Sequence, residues 1–197
     1  MYRSGWAACA LILGLLVGGC AHPINLNGDT ASLIGTAGTA EKVDRKVGLM
    51  ITEQQRSREV TTAGGGGDKV SYFPYRDLET GLYVVLSEVF SGVTRIAGPG
   101  DAKVKSDGIT LMIVPEIVTT SHSPSLLTWP PTVFTVELTC SVKDANDREL
   151  TRLRVQGEGR AEFNEFVSDP SLSAKRASTD ALKKLVKSFS DAKPALR

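Results

Sequence analysis

Two stretches of the chain alternate strictly between apolar and polar side chains. In the first, Phe134, Val136, Leu138, Cys140 and Val142 fall on one side, and Thr135, Glu137, Thr139, Ser141 and Lys143 on the other. In the second, Leu153, Val155, Gly157, Gly159, Ala161 and Phe163 share a side opposite Arg152, Arg154, Gln156, Glu158, Arg160 and Glu162. A period of two is that of a half-buried strand. The pair therefore predicts a β-hairpin turning at Asp144–Asp147. Gly157 and Gly159 leave part of the inward face bare, which gives a helix room to lie close. Cys140 falls on the apolar side, which predicts a buried, unreactive thiol.

Two other stretches repeat at helical spacing. Leu78, Leu82, Val85, Leu86, Val89, Phe90 and Val93 form one stripe, predicting a helix over 78–93 with Asp77 as its cap. Ala174, Ala177, Ala181, Leu182, Leu185, Val186 and Phe189 form the other, opened by Asp169-Pro170 and closed at Pro194. The apolar runs 47–52 and 109–114 read as buried strands. Pro115 places an edge or a bulge at the end of the second, with 116–120 as its continuation. The order is β-α-β-β-β-α. The expected fold class is α+β, a mostly antiparallel sheet with two helices packed on one face.

The intervening segments are polar. Residues 21–46 hold no aromatic residue and many Gly, Thr, Ala, Asn and Asp, the composition of a flexible tether. Thr61–Gly67 ends in four glycines. A phosphate-binding loop needs Lys and then Ser or Thr directly after the last glycine, but Asp68, Lys69 and Val70 follow here, so the segment reads as a surface loop. The loop 121–131 is rich in Ser, Thr and Pro yet carries Leu126, Leu127 and Trp129. Either Trp129 folds back over the edge of the core, or the three form a contact with a partner or a membrane. The basic residues Lys183, Lys184 and Lys187 read as a solvated helix face.

The first 20 residues differ from everything after them. Arg3 is the only charge before Asp29, Trp6 to Val17 is apolar, and Gly18 and Gly19 are small. This is the layout of a secretory signal peptide. Val17-Gly18-Gly19-Cys20 resembles the lipobox of bacterial lipoproteins. That resemblance implies that the Cys20 thiol accepts a diacylglyceryl group, that cleavage falls before it, and that its new amine is acylated. Two or more acyl chains hold a protein stably on a bilayer. An ordinary signal peptide cut elsewhere, for example after Ala21, an uncleaved anchor, and a coincidental cysteine at position 20 are the competing readings. Ala21, in place of the Asp that retains enteric lipoproteins at the inner membrane, points to the periplasmic face of the outer membrane of a Gram-negative cell. The expected boundaries are a signal peptide at 1–19, a lipidated tether at 20–46, one domain at 47–192 and a tail at 193–197.

Composition narrows the function. The 197 residues carry 23 Lys and Arg against 22 Asp and Glu, which disfavours a strongly basic nucleic-acid binder. With two histidines and three cysteines, and neither His22 nor His122 at ligand spacing, no metal or other cofactor is expected. Ser121-His122-Ser123 places nucleophile and base on neighbouring residues, which rarely face one another, and no GxSxG elbow occurs. The expectation is a non-enzyme.

The lipobox, the helix 78–93 after the strand 47–52, the segment 132–163 with its turn at 144–147, and the helix 174–189 together resemble the YajG-like outer-membrane lipoproteins. More loosely they resemble periplasmic lipoproteins built on the fold of the TolB N-terminal domain. The resemblance implies a membrane-anchored, non-catalytic binding or assembly accessory with an envelope protein partner. A self-associating scaffold or ring subunit of an export or surface-appendage machine, a homo-oligomer, is the alternative.

Overall fold

The computed structural model describes residues 21–38, 41–124 and 129–196. The chain opens with β1 (His22–Pro23), a 3-10 turn at Ala31–Leu33 and β2 (Val43–Met50). A one-turn helix, α1 (Glu53–Arg56), leads to the hairpin β3 (Val60–Ala63) and β4 (Lys69–Tyr72). Helix α2 (Pro74–Val89) runs directly into β5 (Phe90–Ile96), and α3 (Ala102–Ser106) follows. The meander β6 (Leu111–His122), β7 (Val133–Asp144) and β8 (Glu149–Arg160) comes next, and α4 (Phe163–Phe166) and α5 (Leu172–Leu196) close the chain.

The alternating hairpin forms in the register its pattern requires. Val136 lies opposite Gly157, Leu138 opposite Val155 and Cys140 opposite Leu153. The inward residues of β7 are fully buried, while α5 lies across β7 and β8. A Cβ on Gly157 would collide with backbone atoms of Ala177 and Ala181, and one on Gly159 with those of Ser173 and Ala177. The two glycines thus set how closely α5 approaches the sheet. On the other helix, a Cβ on Gly81 would run into the Leu182 side chain, so α2 and α5 also pack closely against each other.

The fold is α+β, but its main sheet is mixed. The order is β5-β2-β6-β7-β8, with β2 parallel to both neighbours and the other pairs antiparallel. The sheet is not strictly antiparallel, because α2 ends at Val89 and Phe90–Ile96 forms a parallel strand beside β2. Phe90 and Val93 fit a helical stripe, yet Gly92 disfavours the helix and the β-branched Val93, Thr94 and Ile96 favour extended backbone. Parallel strands need a crossover, and α2 provides part of it. The helix also begins earlier than expected, with Pro74 in its first turn. Pro115 causes no bulge in the β6–β7 ladder, and it sits at a local edge, where no strand of the main sheet pairs with the other side of β6. The Ile117 amide points away from β7 to the Tyr75 hydroxyl, 3.4 Å away, so the Pro115 nitrogen lies on that same side. There β2, which pairs only as far as Ile113, has already ended.

The C-terminal boundary moves as well. Helix α5 continues through Pro194 to Leu196, and Lys193 and Leu196 are buried where a tail was expected. The Leu196 side chain joins the main core, and Lys193 Nζ donates to the Glu41 carbonyl at 3.1 Å. At the end of β8, Ala161 is buried as expected, but the chain leaves the sheet after Arg160, and Phe163 starts α4 two-thirds exposed. There it packs edge-on against Phe166.

Candidate functional site

Residues 21–38 are not a free tether. Ile24, Leu26 and Leu33 bury their side chains in the main core, and Leu26 and Leu33 are completely covered. Polar side chains on or beside both long helices bind the backbone at and around these anchors. The Asn25 amide donates to Ser171 Oγ at 3.2 Å and the Asp29 amide to Thr179 Oγ1 at 2.9 Å, both on the α5 side. The Leu26 amide donates to the Asp77 carboxylate at 3.2 Å and the Gly35 amide to the Glu88 carboxylate at 2.7 Å, both on α2. The segment is a strap across the seam between α2 and α5. Asp77, expected as a helix cap, instead holds Leu26. Composition pointed to a tether because the three anchors are too widely spaced to give a period. Nothing in the sequence marks which acids and hydroxyls on the helices hold the backbone between them.

The strap begins at a small second sheet in the order β1-β4-β3. His22 lies opposite Val70 and Pro23 opposite Ser71, in parallel, and the Ile24 amide donates to the Ser71 carbonyl at 2.9 Å. A chain of hydroxyls ties this sheet to the main one. The buried Tyr72 hydroxyl bonds to Thr119 on β6 at 2.7 Å and to Thr62 on β3 at 3.1 Å, and Ser121 donates to Thr62 at 2.6 Å. Burial pushes the Tyr72 phenol up from its ordinary value, so it remains a neutral donor and acceptor. The tetraglycine segment is the turn of the β3–β4 hairpin. Its Gly65 amide donates to the Trp129 carbonyl at 2.9 Å, and Gly66 and Gly67 take the positive φ values that the turn needs, 65° and 89°.

Trp129 is half-buried against the edge of the core. Its ring lies on that of His22, with centroids 4.3 Å apart and planes inclined by 30°. On the other side of His22, Nε2 is 3.8 Å from the Asp68 carboxylate. The structure thus joins two residues that sequence spacing kept apart, His22 next to Cys20 and Trp129 in the distant loop. The other expected contact residues, Leu126 and Leu127, and the expected lipidation site, Cys20, lie outside the described residues. The period-two run Val70, Tyr72 after the glycines is the signal that could have located the small sheet.

Candidate chemistry is sparse. Ser121 is buried with its hydroxyl bound to Thr62, whereas His122 is exposed on the opposite side of the strand. Among the described residues no three His, Cys, Asp or Glu side chains come together as metal ligands would. Cys140 is buried, and the loss of water pushes its thiol up to about 12, which leaves it protonated and inert at neutral pH. An open groove of about 690 Å³ separates Asn27 and Gly28 of the strap from Lys175 and Arg176 of α5. Both cations are already engaged, Lys175 with Asp169 at 2.7 Å and Arg176 with Glu165 at 2.7 Å. On the basic face of α5, Lys184 pairs with Asp180 and Lys187 with Asp191.

The free edge of β8 is covered along only part of its length. Asp180 accepts from the Glu158 amide at 3.1 Å, Lys184 donates to the Gln156 carbonyl at 2.9 Å, and Arg176 donates to the Arg160 carbonyl at 2.7 Å. These side chains do for the edge what another strand would do. By strand parity the Arg152 and Arg154 backbone groups face the same way, beyond the reach of this set.

No family model and no curated protein matches the chain. Solved structures do. Protein XCC0632 of Xanthomonas campestris, from family DUF330, superposes with a TM-score of 0.53 at 11% identity, over 90% of this chain and 99% of that one. The chain shares that protein's fold. A provisionally assigned lipoprotein of Caulobacter crescentus covers 84% of this chain and 98% of its own at 11% identity, but its TM-score of 0.38 is too low to carry an argument. No helix among the described residues is long and apolar enough to cross a membrane.

Proposed function

We propose that the chain is a lipid-anchored accessory of the bacterial cell envelope. Cys20 carries the lipid, on the periplasmic face of the outer membrane, and the domain binds or helps assemble an envelope protein partner without catalysing a reaction. The observation that carries this reading is the lipobox-like Val17-Gly18-Gly19-Cys20, placed two residues before the first strand of the domain. The finer likeness to YajG-like lipoproteins belongs to the same proposal. The engaged state of Ser121, Lys175 and Arg176 and the burial of Cys140 support a binding role over a catalytic one.

The test is fractionation of Gram-negative cells expressing the full-length precursor. Wild type should stay with the outer membrane through a high-salt wash, and Cys20→Ser should appear in the periplasmic extract. A Cys20→Ser protein that still pellets with membranes at high salt overturns the anchor.

A second reading, a self-associating scaffold or ring subunit, is favoured by the uncovered stretch of β8 around Arg152 and Arg154, where a second copy could add a strand. Size-exclusion of Cys20→Ser separates the two readings, a monomer supporting the adaptor and an oligomer the scaffold.

A further inference from the structure

We infer that the end of the domain carrying Trp129 and the β3–β4 turn rests on the lipid headgroups, so that the domain sits flush on the bilayer. This rests on the proposed acylation of Cys20 and goes beyond it by assigning the surface that meets the membrane.

The length of chain between the anchor and the fold carries the argument. Cys20 precedes His22 by two residues, and two residues span at most about 7 Å. His22 is held by the β1–β4 pairing and by the Trp129 ring. A free coil of the length expected from composition, residues 21–46, would instead have a typical end-to-end distance of about 28 Å. With the strap packed on α2 and α5, that reach does not exist. The acyl chains must then leave the protein within about 7 Å of His22, close to the His22–Trp129 pair.

The chemistry of this end suits a headgroup layer. The turn at Gly64–Gly67 offers no side chains to hold the domain away. Trp129 presents an amphipathic ring of the kind that settles at the membrane–water interface. Lys69 and His122 are exposed nearby, and the neighbouring carboxylate, Asp68, faces His22. The other end of the sheet has the opposite character. The β7–β8 turn exposes Asp147 and Arg148 and lies twelve strand residues away along β7, roughly 35 Å. Flush seating points that turn into the periplasm, where a protein partner would reach it.

Cleavage before Cys20 removes Trp6, leaving Trp129 as the single tryptophan of the mature chain. Its fluorescence therefore reports on this surface alone. The acylated protein is reconstituted in phosphatidylethanolamine–phosphatidylglycerol vesicles containing a headgroup-nitroxide lipid. Flotation is measured first, because a protein that does not float with the vesicles fails the anchor reading and takes this inference with it. For protein that floats, Trp129 should lose roughly half of its emission relative to unlabelled vesicles, as expected for a ring at headgroup depth. A second variant carries twenty Gly and Ser residues between Ala21 and His22. It should still float but lose most of the quenching. Unchanged Trp129 emission in floated wild type, or equal quenching in the linker variant, overturns the flush seating while leaving the anchor intact.

Discussion

The β7–β8 hairpin and the N-terminal strap contribute to the same core by different means. In the hairpin β7 buries each second side chain and β8, from Thr151 on, alternates half-buried or buried with exposed positions, so each twelve-residue strand is held by its own period. In the strap, Ile24, Leu26 and Leu33 are buried among Asn, Asp, Gly and Ser, and the helices hold the backbone between them. The first kind of order is periodic and local. The second depends on partners as far away as Ser171 and Thr179, more than 140 residues along the chain. A polar segment with a few well-placed anchors can thus be as much a part of the fold as a strand.

The largest effect is expected in the hairpin. Gly159→Val places a side chain in the backbone of Ser173 and Ala177. It should cost more than ~3 kcal/mol in urea unfolding, a large share of the stability of a domain this size. Gly98→Ala, with nothing within 4 Å of the added carbon, should change stability by less than ~0.5 kcal/mol. A tolerated Gly159→Val would mean that α5 is not seated on the sheet.

The strap should respond almost as strongly to one residue. Leu26→Ala removes a completely buried side chain and should cost about 2–3 kcal/mol. It should also open residues 21–38 to limited proteolysis, whereas Ile34→Ala, at an exposed position, should do neither. Equal proteolysis of wild type and Leu26→Ala would return the segment to a tether.

A weaker effect is expected where α4 meets α5. Glu165 is held at about 2 by the Arg176 guanidinium, with the Glu162 amide as a second donor. A carboxylate lowered on folding contributes stability that is fully present above its ordinary value of 4.5 and is lost as pH falls through about 2. The group is exposed, so the change in global stability should be small. The direct check is the NMR titration of the Glu165 carboxyl, which should move towards the ordinary value in Arg176→Met. An ordinary titration in wild type would mean that the pair does not tie α4 to α5.

Legibility in the sequence followed these same mechanisms. The β7–β8 hairpin, the body of both long helices and the buried state of Cys140 were readable, because each follows from a period that burial imposes. The parallel strand β5 was hidden because Phe90 and Val93 continue the helical stripe for one more turn. The small sheet was hidden because His22 and Pro23 are only two residues, and because the hairpin turn is spelled in glycines that resemble a loop. The neighbourhood of His22 and Trp129 could not be read from spacing, since it exists only once β1 has paired with β4. Leu126, Leu127 and Cys20 keep the roles that the sequence suggests for them as proposals.

Everything about how the domain stands relative to its anchor turns on whether the strap is folded. Amide hydrogen exchange in the mature protein tests this most directly at Ile24, Leu26 and Asp29, whose amides donate to Ser71, Asp77 and Thr179. All three should exchange slowly, in step with the β3–β4 hairpin and far below the rate of an unstructured peptide. Exchange of all three at the rate of a free coil, while β7 and β8 stay protected, would contradict a folded strap.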